Sequence, residues 1–474
     1  MPANPYNTVP YPTYPAVQTH PDRLAAVGTL FGMTPAAVAR CRVLELGCGN
    51  GNNLIPMAYA LPQSRFLGVD LAEQPIAAGS TRIEELGLTN ISLRASDLEE
   101  VGGDSGEFDY IIAHGLYSWI APDVRERLLA VCRERLAPQG IAFVSYNALP
   151  GCHVRLMLRE MMLYHTRQAS TNAQQLEKAL EFVQLLREQT LTPKPLRPML
   201  DDELKAMLKR PPESFYHDDL EAVNEPVYFH EFAAHAARHG LQFLGEAELF
   251  EMFDHRHALD WLGDNVLERE QYLDFLKLRR FRQTLLCHQG VRLKRTPQES
   301  RMDEFFFSSP ARQVDGRIEG AHHASISAVS AAVERTAGAL RDAFPLPLPF
   351  EELLPYAGNA ESLREILFGM VTGGFADLHV YAFPCQETVT ARPAASALAR
   401  LEASESLTVT SLCHRVVKLD EIGRRLLLLL DGSRDHATIS AELAAIPGAP
   451  RGSEIREYLP QSLEWMARMA LLEG

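Results

Sequence analysis

The chain lacks any apolar run long enough to cross a bilayer. Its densest stretch, Leu426 to Leu430, is only 5 residues long, where about 20 are needed. Its seven cysteines (Cys41, Cys48, Cys132, Cys152, Cys287, Cys385 and Cys413) are odd in number and contain no C-x-x-C pair. They read as reduced thiols of a cytoplasmic protein rather than a disulfide framework or a zinc site. No basic segment followed by an apolar core opens the sequence, so no signal peptide is visible. A basic surplus is also missing: 61 Asp+Glu against 46 Lys+Arg leave a formal charge of −15, which speaks against bulk nucleic-acid affinity. His255, His257 and the pair His322-His323 have no cluster of ligand spacing around them, and no metal is expected. What is present, 46% hydrophobic and 23% charged residues over 474 positions, is the composition of an ordinary globular protein of roughly two to four domains.

The most informative stretch is Val43-Leu44-Glu45-Leu46-Gly47-Cys48-Gly49-Asn50-Gly51-Asn52-Asn53. An apolar run with an acid near its end reads as a buried strand. Glycines at alternate positions follow, where backbone takes unusual dihedrals or lets a ligand approach. Leu54 to Leu61 then reads as a helix, with Pro56 in its first turn. Strand, glycine loop and helix open a doubly wound nucleotide-binding fold. The dinucleotide fingerprint would place its third glycine at Asn52; here the pattern is E-x-G-x-G-x-G, ending at Gly51. It resembles motif I of the class I methyltransferases that use S-adenosylmethionine (AdoMet). Phe66 to Leu71 is a second strand ending in Asp70, about 20 residues on, where a ribose-binding carboxylate belongs; the alternative for Asp70 is a helix N-cap.

The βα alternation continues. Gln74 to Leu86 reads as a helix stopped by Gly87. Ile91 to Ala95 alternates as a third strand leading to Ser96-Asp97-Leu98. In such enzymes a polar side chain there holds the adenine amino group, which makes Asp97 the candidate, with a turn or cap role as its alternative. Phe108 to Ala113 is a fourth strand running into His114-Gly115-Leu116-Tyr117-Ser118-Trp119-Ile120. Val124, Leu128, Val131, Cys132 and Leu136 form a helical stripe, Ala137 to Gly140 a turn, and Ile141 to Tyr146 a strand entering Asn147-Ala148-Leu149-Pro150-Gly151. In open α/β sheets the chemistry lies beyond the carboxyl ends of the strands, so these two loops are where an acceptor is expected. Strand periodicity then gives way to helices until Leu241 to Ala247, which reads as the return strand of the same sheet.

Thr19-His20-Pro21-Asp22-Arg23-Leu24, Ala113 to Trp119, Tyr146 to Gly151, Tyr216-His217-Asp218-Asp219-Leu220, Asn224 to Phe229 and Arg280 to Leu286 together resemble the bacterial methyltransferase regulatory-domain family over roughly the first 300 residues. That family includes protein-lysine methyltransferases of bacterial outer-membrane proteins. The resemblance implies AdoMet as cofactor, held by Glu45, Gly47, Cys48, Gly49, Asn50, Gly51, Asn52, Asp70, Leu71, Ser96, Asp97, Leu98 and His114. Tyr14 would join them from the aromatic, proline-rich segment 1–22, read as a flap over the cofactor or as a disordered tail. It implies a protein substrate with a lysine acceptor, and His114, Tyr117 and Asn147 are the candidates for handling that amine. N/D-P-P-Y, the motif used for planar base nitrogens, is absent after Asp109. The rival functions are a small-molecule methyltransferase and a non-catalytic AdoMet-binding regulatory protein.

The expected architecture is α/β: a Rossmann-like class I methyltransferase domain over 23–300 with a helical insertion at about 153–222, compatible with a homodimer. Winged-helix-like α+β modules are expected over 320–390 and 395–474, separated by a linker at Pro393 to Ala399. In the first of them, Ile326, Val329, Val333, Ala337 and Leu340 read as one helical stripe. Before these modules, Arg279, Arg280, Arg282, Arg292, Lys294 and Arg295 form a basic stretch that reads as a solvated or self-neutralising face, with a nucleic-acid groove as the alternative. Asp303 to Pro310 leads into a polar connection reaching about Gly320, which reads as a domain boundary. From Arg400 to Gly474 there are 9 Lys/Arg against 11 Asp/Glu, which favours protein contact over DNA.

Overall fold

The computed structural model describes residues 11, 13–102, 106–189, 193–253, 256–320, 324–327, 330–383, 385, 388–446 and 452–473. Seven strands form one sheet: β1 (Arg42–Leu46), β2 (Arg65–Asp70), β3 (Ile91–Ala95), β4 (Phe108–Ala113), β5 (Leu136–Asn147), β6 (Leu241–Glu246) and β7 (Phe281–His288), in the order β3-β2-β1-β4-β5-β7-β6. The first five run parallel, and β7 is antiparallel to both β5 and β6. This is the Rossmann-like sheet expected, with β1 central and buried. Strand order reverses beside β1, which places a crevice at its carboxyl end. The turn expected at Ala137 to Gly140 is instead part of β5; the pairing absorbs it as a register shift, from Phe108↔Leu136 to Tyr110↔Ile141.

Helices cover both faces: α1 (Pro21–Leu30), α2 (Leu54–Ala60), α3 (Glu73–Glu85) and α4 (Pro122–Arg135). The insertion after β5 comprises α5 (His153–Thr166), α6 (Asn172–Glu188), α7 (Arg197–Leu208) and α8 (Pro212–Leu220). Their apolar faces make a separate small core around Leu158, Met162, Val183, Leu204, Met207 and Phe215. The chain returns through α9 (Phe229–Arg238), α10 (Phe250–Phe253) and α11 (Val266–Lys277).

The first three residues of the basic stretch, Arg279, Arg280 and Arg282, take its self-neutralising form. Arg282 on β7 is fully buried and meets Glu246 at 2.6 Å, Glu270 at 3.1 Å and Asp274 at 2.9 Å, with its guanidinium 4.0 Å from the ring centre of Phe229. Arg279 pairs with Asp274 at 3.2 Å and Glu251 at 2.9 Å. Charges this deep persist only when paired, so neither arginine belongs to a solvated face.

The next module contains β8 (Phe306–Ser308), β9 (Arg312–Val314), β10 (Arg317–Glu319), β11 (Ser325–Ser327), α12 (Ala331–Ala343), β12 (Leu348–Pro349), α13 (Phe350–Ala357), α14 (Ala360–Thr372) and β13 (Asp377–His379). Two expectations change here. The polar connection expected up to about Gly320 instead holds β9 and β10, paired antiparallel with each other; in the stretch before it β8 is the middle strand of its sheet, with Phe307 buried between Leu348 and Leu378. Ile326 lies in β11, opposite Ile318, and not on the helix that begins at Ala331; Val329 falls outside the described residues. Leu340, Leu353 and Leu367 join the same continuous core as Leu24, Val43 and Phe143. The module is thus packed onto one face of the main sheet.

The last module has its own core, built from β14 (Ala394–Ala395), α15 (Ala397–Glu405), β15 (Thr408–Thr410), β16 (Val416–Lys418), α16 (Glu421–Leu429), α17 (His436–Ala444), α18 (Gly452–Arg468) and β17 (Leu472–Glu473). The expected linker at Pro393 to Ala399 is instead β14, paired with β17, followed by the start of α15. Among the described residues, no helix is long and apolar enough to cross a membrane.

Candidate functional site

At the end of β1 the chain turns through Gly47, Gly49 and Gly51 at φ +75°, +55° and +75°, the left-handed region that glycine alone enters freely. Gly47 and Cys48 donate their backbone N–H groups to Val69 O at 2.8 and 3.2 Å. Gly49 N–H donates to Asp70 Oδ2 at 2.8 Å, while Asp70 Oδ1 accepts from Ala72 N–H at 2.8 Å. The acid at the end of β2 therefore braces the glycine loop, and α3 begins only at Glu73. On α3, Gly79 lies so close that a Cβ there would fall 2.3 Å from Asn50 O.

Beneath the loop Glu45 is buried, with Oε1 accepting from Asn53 Nδ2 at 2.7 Å and Oε2 left without a partner. Burial raises its pKa to about 8, with nearby Asp70 adding to the rise and the Asn53 hydrogen bond opposing it. An unpaired, buried carboxyl oxygen is costly and fits a cationic ligand group. Asn53, which sequence reading left without a role, also accepts from Ala16 N–H at 2.9 Å and from His414 Nε2 at 3.0 Å.

The N-terminal segment lies on this loop where it is described. Thr13 Oγ1 donates to Asn50 Oδ1 at 2.8 Å, and Asn52 Nδ2 donates to Thr13 O at 3.2 Å. Tyr11 reaches Asp218 of α8 through its hydroxyl at 3.2 Å. Tyr14 remains 58% exposed and Leu71, directly after Asp70, 60% exposed; both are large hydrophobic side chains left in solvent beside the loop. Further along, Leu98 is buried, and Ser96 Oγ donates to Glu100 Oε2 at 2.7 Å. Asp97 Oδ1 accepts from Glu99 N–H at 3.0 Å, so one of its oxygens caps the turn Leu98–Glu100. An acid at the end of β2, an exposed apolar side chain beside it, a second polar turn after β3 and the unpaired Glu45 oxygen together fit a nucleoside bearing a cationic centre.

At the neighbouring strand ends, His114 follows β4 with its ring centre 5.8 Å from Phe143 and 6.4 Å from Phe281. Burial pushes it down to about 4, so the imidazole is neutral near pH 7. Gly115 N–H donates to Ser145 Oγ at 2.7 Å, and Asn147 N–H to Ser118 Oγ at 2.9 Å, which stitches the loop after β4 to β5. Asn147 Nδ2 donates to Asn224 Oδ1 at 3.1 Å, bringing the segment before α9 to the same edge. His114 and Asn147 thus stand at the carboxyl ends of adjacent parallel strands. Tyr117 turns away from them: its hydroxyl lies 2.8 Å from His235 Nδ1 and its ring packs on Phe232 and Tyr146. Burial raises its phenol to about 12.

Sequence reading also passed over His235 and His239, whose spacing by four on a helix was a readable signal, and Glu126, whose nearness to them was not. His255 and His322-His323 lie outside the described residues.

Three family descriptions match parts of the chain: "Methyltransferase domain" over residues 43–140, "Predicted methyltransferase regulatory domain" over 211–288 and "PKMT, C-terminal winged helix domain" over 391–446. The Rickettsia prowazekii protein named uncharacterized protein RP789 is 36% identical over 311 residues, 64% of this chain and 56% of its own length. A second from that organism, uncharacterized protein RP028, is 34% identical over 242 residues, 50% of this chain and 96% of its own length. The solved structure of PKMT2 from Rickettsia typhi matches with a TM-score of 0.85 at 26% identity, covering 98% of this chain and 100% of that one. The same protein in complex with AdoHcy gives a TM-score of 0.84.

Proposed function

Because the chain belongs to the AdoMet-dependent methyltransferases that join a methyltransferase domain to a regulatory domain and a PKMT-type C-terminal winged helix, we propose that it methylates lysine side chains of a protein substrate. The observation that carries a protein acceptor is the direct attachment of the C-terminal module to the cofactor loop. His414 bonds Asn53, Glu405 pairs with Arg82 of α3, and Glu473 accepts from the Tyr59 hydroxyl at 2.5 Å. A small acceptor has no use for a module of that size coupled there.

When bound, AdoMet supplies a methyl group on a sulfonium, already activated for in-line displacement by an amine. The chain's share is to hold the donor and to align the amine, which can contribute about 7–11 kcal/mol when the reacting atoms are well placed. Glu45, Asp70, the glycine loop, Leu71, Ser96, Asp97 and Leu98 hold the cofactor, with Tyr14 and the N-terminal segment shielding it. An acceptor lysine, with a reference pKa of about 10.4, must lose its proton to solvent before it can attack. The apolar setting of His114, between Phe143 and Phe281, disfavours the ammonium form, and its neutral ring can accept a hydrogen bond from the amine. Asn147 orients the amine from the adjacent strand. Tyr117 anchors the loop through His235.

The same reading includes a homodimer through the insertion, since α5 leaves Met157, Met161 and Tyr164 exposed on one face, and a cytoplasmic setting for its free thiols, with no role for nucleic acid. The test is incubation with heavy-methyl AdoMet and a cell lysate, then hydrolysis of the protein fraction. Methyl-lysine should appear, and should fall with Asp70→Ala in parallel with a calorimetric loss of AdoMet affinity. Label confined to small molecules would overturn the proposal.

A further inference from the structure

His235 on α9 and His239, which caps the C-terminus of that helix, stand four positions apart, and Glu126 faces them from α4. His235 Nε2 lies 3.1 Å from Glu126 Oε1, and His239 Nε2 lies 2.8 Å from Glu126 Oε2. The three donor atoms all fall within 4.8 Å of one another. His235 is only 7% exposed and its Nε2 has no hydrogen-bond partner, because its direction towards Glu126 misses hydrogen-bonding geometry. A buried imidazole nitrogen aimed at a carboxylate and a second imidazole, without a proper hydrogen bond of its own, calls for a ligand.

We propose that Glu126, His235 and His239 form a site for a divalent transition-metal ion of the zinc class, which clamps α9 onto α4 and leaves one coordination position to water. Two imidazoles and one carboxylate are a donor set that zinc takes. Tetrahedral bonds of about 2.0–2.1 Å put neighbouring donors about 3.3 Å apart, a spacing that side-chain rotation can reach from donors now within 4.8 Å of one another. The outer contact is already built. With its proton on Nδ1, His235 donates to the Tyr117 hydroxyl at 2.8 Å, and this tautomer leaves the Nε2 lone pair for the metal. Arg238 Nη2, 3.4 Å from Glu126 Oε1, belongs to a side chain that is 62% exposed and can turn into solvent as the ion enters.

The position gives the ion a purpose. Helix α4 lies within the span that matches methyltransferase domains, α9 within the span that matches the regulatory domain, and Tyr117 on the loop that follows β4. The ion would hold the regulatory helix and the acceptor loop in one arrangement. It needs no electron or group transfer; the histidines bind it in their neutral form.

The test uses the full-length protein stripped with a chelator and titrated with cobalt(II), followed by visible absorption and then by zinc competition. One equivalent with the intense absorption of a tetrahedral centre, displaced by zinc and raising the melting temperature, is expected. His239→Gln and Glu126→Gln, at partly exposed positions, should fold and lose that equivalent. Tyr117→Phe should weaken it about 10–100-fold, and His153→Gln on α5 should keep it. Only the weak absorption of hydrated cobalt with the wild-type protein, or a tetrahedral equivalent that survives in both His239→Gln and Glu126→Gln, would overturn the site.

Discussion

His414 Nε2 of the C-terminal module lies 3.0 Å from Asn53 Oδ1, and Asn53 Nδ2 in turn donates to Glu45 at 2.7 Å. Three buried side chains thus link the winged helix to the acid under the glycine loop. Burial, with nearby His20 and Arg415, holds His414 well below its usual pKa, so it is neutral and its Nε2–H serves as the donor.

His414→Ala removes one of the donors that orient the Asn53 amide. Losing a partner of a buried polar group costs about 1–3 kcal/mol. AdoMet affinity should fall several-fold or more, with a lower melting temperature. Calorimetry reads the first effect; an unchanged Kd would limit the contact to stability.

The carboxyl of Glu45 sets a pH dependence. With its pKa raised to about 8, it is mostly protonated at pH 7, and a cationic ligand beside it favours the ionised form. AdoMet affinity should therefore rise with pH up to about 8 and level off above, and binding at pH 7 should release a proton to buffer. Titrations in two buffers of different ionisation enthalpy measure that proton, and Glu45→Gln should abolish it.

Gly79→Ala places a Cβ 2.3 Å from Asn50 O and 2.5 Å from Leu93 Cδ1. Overpacking of this kind costs about 1–3 kcal/mol, and here the strain falls on the glycine loop, so cofactor affinity should drop with it. Gly338 on α12 meets nothing closer than 3.8 Å, and Gly338→Ala should stabilise the protein by about 0.5–1 kcal/mol. Urea melts of the two variants should move in opposite directions.

Arg282→Met strands the buried Glu246 and leaves the buried Glu270 and Asp274 with Arg279 alone. Breaking a buried ion pair from one side costs about 3–5 kcal/mol. The loss should be largest near neutral pH and shrink on acidification, as stranded carboxylates take up protons. Denaturation at two pH values checks the sign.

The alternation of short apolar strands with amphipathic helices, and the glycines after Leu46, were enough to place β1 to β6, the helical insertion and the cofactor loop, because those patterns are local: they follow from strand and helix periods and from glycine's access to positive φ. The sequence also pointed to Asp70 at the loop, since an acid ends the second apolar run about 20 residues on, and the pairing of Leu46 with Val69 sets it there. What tertiary structure alone decided is where distant segments meet. β8 went unmarked because a three-residue strand has too little pattern to stand out, and only its pairing with Leu348 and Leu378 makes Phe307 core. Arg282 read as part of a basic stretch because its acids lie on β6 and α11. Tyr117 pointed to the acceptor in sequence, but His235 draws it inward. Asn53 and His414, 361 positions apart, carry no local signal of each other. Their contact exists because the C-terminal module docks on α2, α3 and His20 beside the loop, where polar groups shut off from water must find partners in one another.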